Sequence, residues 1–251
     1  MERAWFVQDR LEEKNDGRIY FGEETCERRI PTAKAYGEAV RELKERGNRV
    51  TVVFPPVTDS GMAKIGAVFK EIENEDGLEC VIADYGLLKF AQERAPRMDF
   101  IVGRLLSRVL ARNILDLHAY DPKESERFRD GLRAQRVKRF DFDLFNLELV
   151  KSGLDDLGFP ASLITPFDII AFTRRCVVAS CSTTDDDPFA ACKQECREMT
   201  MELGHTYLTG THFVFENVVL KLAEAPAKVD KNIDRLVRWH PPQLRITRKN
   251  G

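Results

Sequence analysis

The 251-residue chain has no apolar run approaching the roughly 20 residues that a membrane-spanning helix needs. It also lacks a glycine-rich phosphate turn after its early strand-like stretches, which argues against an open, doubly wound nucleotide-binding sheet. Histidine is scarce, with four in all (His118, His205, His212 and His240). Ser107, Ser180 and Ser182 form no recognisable nucleophile-and-base motif with them, and no zinc-protease signature is present. Charge of one sign is missing as well. The 39 Lys and Arg residues face 41 Asp and Glu, a formal net charge of -2, so no global field draws in nucleic acid. Met1 to Arg10 carries Glu2, Arg3, Asp9 and Arg10 around a short apolar run, which is not the pattern of a signal peptide. A reducing cytoplasm and a single globular domain over 1–251 are the expectations.

What the chain does have is clustered cysteine. Of six, four (Cys176, Cys181, Cys192 and Cys196) fall within the 26 residues from Phe172 to Arg197, and Cys26 and Cys80 lie far upstream. Cys192 and Cys196 are four apart, so a helical turn would face both thiols the same way. Cys176 and Cys181 precede them across a loop carrying Asp185, Asp186, Asp187 and Pro188. In a reducing compartment, thiols gathered in this way point to a metal or redox centre rather than to disulfides. Cys80, inside the apolar stretch Leu78 to Ala83, reads as a small core hydrophobe. Basic neighbours (Arg28 and Arg29 after Cys26, Arg175 before Cys176, Lys193 after Cys192, Arg197 after Cys196) should lower the thiol pKa and offset the charge of several thiolates. An iron–sulfur cluster on cysteines is therefore expected first. Zinc comes second, because zinc ribbons generally show two short cysteine pairs and this chain has one.

The pattern along the chain predicts strands at Ala4 to Val7, Arg18 to Phe21, Arg49 to Phe54, Leu78 to Ala83, Phe100 to Val102 and Ala161 to Thr165. Helices should intervene: one capped by Thr32 and stopped at Gly47, one capped by Asp59 or Ser60, one over Leu87 to Arg94, and one over Leu144 to Leu157 ended by Gly158. Later strands are expected at Ile169 to Phe172, Thr206 to Leu208, Phe213 to Phe215, Val218 to Leu220 and Leu236 to Val237. This series fits an α/β fold of the (β/α) TIM-barrel type, incomplete or irregular toward its C-terminal end. Arg104, Arg108 and Arg112, spaced by four, should share one helix face as a solvated or partner-facing surface, with anion or RNA contact as the other reading. Phe140, Phe142 and Phe145 are spaced to pack, and Glu23 reads as a hydrogen-bonding residue at the barrel mouth.

Several of these residues together resemble a known family. Ile19-Tyr20-Phe21-Gly22-Glu23 with Cys26 and Arg28, then Asp84-Tyr85-Gly86, then Arg175-Cys176 and Cys192-Lys193-Gln194-Glu195-Cys196-Arg197, are similar to the collagenase-like peptidase U32 family. The likeness is strongest to its short, UbiV-like branch and runs from about Arg18 to Val237. The resemblance implies a (β/α) barrel with a 4Fe-4S cluster on Cys26, Cys176, Cys192 and Cys196. It also implies a role in oxygen-independent hydroxylation of the ubiquinone-biosynthesis type, with prephenate as oxygen donor, and pairing with a second U32-family subunit. Cys181 has no counterpart in that pattern and competes with Cys26 as fourth ligand. Arg28, Arg29 and Arg175 would be available to a small anionic substrate. Peptidase activity, or a structural cluster without catalysis of its own, are the alternatives.

Overall fold

The structure is a computed structural model that describes residues 1–8, 17–173, 176, 192, 194–197, 200–204, 206–223 and 229–239. Eight strands close into a parallel barrel: β1 (Glu2–Val7), β2 (Arg18–Gly22), β3 (Arg49–Phe54), β4 (Glu79–Ile82), β5 (Asp99–Val102), β6 (Val137–Phe142), β7 (Ala161–Thr165) and β12 (Ile233–Trp239), with β12 seated between β7 and β1. Helices α1 (Ala33–Glu45), α2 (Asp59–Glu71), α3 (Tyr85–Arg94), α4 (Arg104–Tyr120), α5 (Pro122–Ala134) and α6 (Leu144–Val150) fill the connections from β2 to β7. The fold is thus an α/β barrel of TIM type. Among the described residues its irregularity lies after β7. Between β7 and β12 the chain builds a separate antiparallel sheet, ordered β8 (Phe167–Phe172), β11 (Val218–Leu222), β10 (His212–Phe215) and β9 (Met201–Leu203).

Alternation along the strands explains the two cores. In β3, Val50, Val52 and Phe54 point outward to meet the apolar stripes of the helices, such as Tyr36, Val40 and Leu43 of α1, while Val53 points into the barrel. Inside, the strand starts carry charge. Arg18 reaches Glu2 at 2.9 Å and Glu79 at 3.0 Å, and Arg235 reaches Glu2 at 2.6 Å and Glu79 at 2.8 Å. Burial works against both carboxylates, but the two arginines outweigh it and hold them below the usual range. Above them come Ala4, Val53, Val81, Ile101, Ile164 and Val237 around Tyr20, whose hydroxyl meets Arg235 and Asp141. At the strands' carboxyl ends Phe6 stacks on Trp239 at 5.8 Å, and Phe167 and Phe215 from the second sheet meet the same indole edge-on at 6.0 and 6.1 Å. The second sheet therefore lids the barrel mouth.

Some local expectations need correction. Thr32 does cap α1, accepting from the Ala35 amide at 3.3 Å, but α2 begins at Asp59 with Thr58 as its cap residue and no side-chain cap bond. The expected helix from Leu144 to Leu157 is α6 followed by a tighter 3₁₀ segment, Lys151–Asp156. Residues 206–207 form a turn, and the neighbouring strand is Met201–Leu203. The arginine face is not one surface: Arg104 is 1% exposed inside the lid, Arg108 stacks over Phe145 at 5.8 Å, and Arg112 pairs with Asp116. Phe140 and Phe142 are fully buried, whereas Phe145 is exposed.

Two positions lead to measurable expectations. Gly22 ends β2 at φ +131, and a Cβ there would come within 2.3 Å of the Val53 carbonyl and 2.4 Å of the Tyr36 hydroxyl. Gly22→Ala should cost about 3 kcal/mol in denaturant unfolding, since both the backbone angle and the space oppose a side chain. Asp141 sits fully buried in the barrel, accepting from Tyr20 Oη at 3.3 Å, and burial pushes its carboxyl up to about 6 despite Ser162 and the arginines nearby. An acid raised in the folded state leaves stability intact below its unfolded value near 4 and removes it as pH climbs through 6. Asp141→Asn should therefore be more stable than the wild type at pH 8 by on the order of 3 kcal/mol, with the gap closing at pH 4 to 5.

Candidate cysteine site

The loop leaving β2 carries Glu23, Glu24, Thr25 and Cys26, all buried, into the lid sheet above the barrel mouth. Each is tied down. Glu23 accepts from Gln8 Nε2 at 3.0 Å and from the Glu24 amide at 3.1 Å, and pairs with Arg29 at 3.3 Å. This is the mouth role expected of it. Glu24 is gripped by Arg104, whose guanidinium also donates to the Phe167 carbonyl at 2.7 Å and lies 4.8 Å over Trp239. Glu27 then turns outward and takes hydrogen bonds from the amide (2.6 Å) and hydroxyl (3.0 Å) of Thr58 at the start of α2.

From the lid comes the two-residue turn Glu216-Asn217 between β10 and β11. Glu216 has φ +54, its carboxylate is fully buried, and it accepts from Arg29 Nη1 at 2.6 Å and from the Thr25 hydroxyl. Its backbone carbonyl accepts from the Cys176 thiol at 3.5 Å. Asn217 donates to the Thr25 carbonyl at 2.9 Å. The turn thus clasps the β2 loop from above and fixes Cys26 against the lid.

The cysteines meet here. Cys176, Cys196 and Val214 form one small buried cluster with Cys192 packed against it, and Cys26, Cys176 and Cys192 line a common cavity of about 340 Å³. The thiols sense one another: charge on Cys176 or Cys192 would raise Cys196, and charge on Cys196 would raise Cys26. None of the five described cysteines is disulfide-bonded. Cys80 is fully buried in the core outside the barrel, as its apolar setting suggests. Cys181 and its neighbours, with Arg175, Lys193, Ser180, Ser182, His205 and His240, lie outside the described residues.

The electrostatics differ from the sequence expectation. Basic neighbours were to lower the thiols, yet burial, then the carboxylates of Glu216 and Glu23, push Cys26 well above its usual value. Burial and Glu216 push Cys196 up to about 12, with Arg29 only partly offsetting them. Arg29 is 2% exposed and engaged by Glu216 and Glu23, so it is not available to an anionic substrate. Nor do Cys192 and Cys196 share a regular helical turn: Gln194 between them adopts φ +60, donates to the Arg28 carbonyl at 2.7 Å, and only Glu195–Arg197 forms a 3₁₀ turn.

Among the described residues no group of three cysteine, histidine or acidic side chains forms a ready-made cage for a single metal ion. Ser107 donates to the carbonyl of Arg104, and His212 Nδ1 stands 3.1 Å from the Gly210 carbonyl, so neither is poised toward the other as nucleophile and base. No helix among the described residues is long and apolar enough to cross a membrane. No family model, curated protein or solved structure matches the chain.

Sequence reasoning missed Thr25, Glu216 and Asn217. The gap of two residues between the apolar stretches Phe213–215 and Val218–220 was the available signal for a tight turn. Nothing in the sequence marked that turn as facing the β2 loop.

Proposed function

We propose that this chain is an iron–sulfur protein that carries a 4Fe-4S cluster on Cys26, Cys176, Cys192 and Cys196 and works as a component of an oxygen-independent hydroxylation system. One observation carries the reading: thiols from the β2 loop and from the segment after β8 gather at the lidded carboxyl end of a barrel, the end where barrel enzymes do their chemistry. The donor set fits such a group. Four cysteines are the usual holders of a cluster, and a cluster, being larger than one ion, takes thiolates from wider apart than zinc does. When bound, the cluster would supply electron transfer or substrate activation. The chain's own residues do the rest: Glu216, Thr25 and Asn217 hold the β2 loop, Arg29 supplies buried positive charge beside the thiols, and the lid limits the access of water. Because ligation needs thiolates and burial holds the Cys26 and Cys196 thiols protonated, loading must expel protons.

The wider assignment, including prephenate as oxygen donor and a second U32-family subunit as partner, rests on the sequence resemblance. The experiment is anaerobic purification followed by an absorption spectrum and iron, sulfide and zinc analysis. Iron and acid-labile sulfide in equal amounts with a broad charge-transfer band support the reading. Zinc without sulfide, or no metal after anaerobic reconstitution, sinks it.

A further inference from the structure

Away from the cysteines, α4 and α6 together expose three apolar side chains: Val109 at 54%, Phe145 at 39% and Leu149 at 50%. Scattered singly, such residues mean little, but these three adjoin one another. Arg108, next to Val109 on α4, stacks over Phe145, and Leu149 follows Phe145 by one helical turn on α6. Further along, Leu115 lies so close to Gly153 that a Cβ on the glycine would come within 2.6 Å of it. The two contacts advance together along the chain, so α4 runs side by side with α6 and the 3₁₀ segment, in the same direction. Arg112 is thus level with Glu148 and Leu149, and Asp116 with the 3₁₀ segment that Lys151 opens.

The charges around this apolar strip come in both signs. Arg112 pairs with Asp116 at 3.5 Å, and Lys151 pairs with Glu148 at 3.1 Å, all four side chains being more than half exposed. Solvated pairs of this kind are worth little, so they exchange partners at little cost. Their order is the informative feature: along α4 positive precedes negative, and along the neighbouring side negative precedes positive. A face with that pattern is complementary to itself. A two-fold axis running along the groove lays α4 of each copy over α6 of the other, facing Arg112 with Glu148 and Asp116 with Lys151, and closing Val109 on Phe145 and Leu149. A partner carrying charge of one sign would meet like charge at half of these groups. Helices about 9 Å apart, the longer about 25 Å in length, present on the order of 500 Å² per copy, enough for a specific interface and small for a permanent one.

We propose that this face docks a second copy of the chain, giving a weak two-fold homodimer built from α4 and α6 of both copies. The inference goes beyond the cluster reading and does not rest on it, because the face lies in the helix layer outside the barrel and holds none of the thiols.

The test is sedimentation velocity on the purified full chain, kept anaerobic and reduced so that thiols do not cross-link. Monomer should pass to dimer with a Kd on the order of 50 µM. Leu149→Glu should weaken association by about tenfold or more, since it sets a charge in the apolar strip. Arg112→Glu and Glu148→Lys should each weaken it by about tenfold, because like charges then face each other twice across the axis. Mixed in equal amounts, these two variants should associate within about threefold of the wild type, each bringing the charge that the other lacks. Recovery on mixing cannot come from a folding defect, so the charge pair carries the test if Leu149→Glu fails to fold. A chain that stays monomeric at about 500 µM, tenfold above the expected Kd, leaves the face to some other protein and overturns the proposal. Association indifferent to Leu149→Glu, or a mixture no tighter than its two components, does the same.

Discussion

Single replacement of Cys26, Cys176, Cys192 or Cys196 by alanine should strip most of the iron from anaerobically purified protein, whereas Cys80→Ala should keep it. Cys176, Cys192 and Cys196 pack together, Cys26 lines one cavity with Cys176 and Cys192, and the proposed cluster would lose one of its four bonds in each variant. Cys80 faces the helix layer outside the barrel and touches none of them. Its loss leaves a small cavity, and the expected penalty is about 1 to 2 kcal/mol of unfolding free energy with the iron content unchanged. Because binding to the folded state alone adds stability, the cluster-ligand variants should also digest faster in the stretch from Cys176 to Cys196. Retained iron in Cys26→Ala together with loss in Cys181→Ala would transfer the fourth position to Cys181.

Arg104→Met should be the most damaging single change away from the thiols, lowering stability by about 3 to 5 kcal/mol. Burial opposes the Arg104 charge, but Glu24 opposite it holds the guanidinium protonated, and neither side chain has more than 2% of its surface exposed. Removing the arginine leaves the Glu24 carboxylate buried without its counter-charge and takes away the donor to the Phe167 carbonyl that pins the lid sheet to the mouth. Glu24→Gln added to Arg104→Met should restore a large part of the loss, because a neutral amide is far cheaper to bury. Denaturant unfolding of the two variants checks the order. Since Thr25 and Cys26 follow Glu24 directly, the single variant should also hold less iron than its stability loss alone explains. A pair of variants with equal midpoints would mean that the ion pair holds nothing in place.

The repeating strand and helix pattern up to Val102 was legible because buried parallel strands such as Arg49–Phe54 are near-continuous apolar runs, and helices such as α1 show their buried face at helical spacing. The lid was harder. Phe213–215 and Val218–220 read correctly as strands, but nothing local says that the second pairs with Phe167–Phe172 and the first with the second, instead of joining the barrel. Partner choice in a sheet is a tertiary matter. The arginine spacing misled for a related reason: periodicity places Arg104, Arg108 and Arg112 on one helix face, yet only the lid overhead decides that the first is swallowed while the third stays in water. At the cysteines, sequence proximity to lysine and arginine stood in for spatial proximity. Glu216, which the sequence did not flag, raises both Cys26 and Cys196, and Glu23, read only as a mouth hydrogen-bonding residue, raises Cys26 as well.

Placing β12 between β1 and β7 also dictates an order of events during synthesis. Until residues 233–239 emerge from the ribosome, the first and seventh strands each show an unpaired backbone edge, and the lid has no Trp239 to rest on. A nascent or truncated chain ending before Ile233 is therefore an open sheet with two sticky borders, the kind of edge that seeds association between chains. The last seven-residue strand, far from the cysteines in sequence, is the piece that turns a self-adhesive intermediate into a closed molecule.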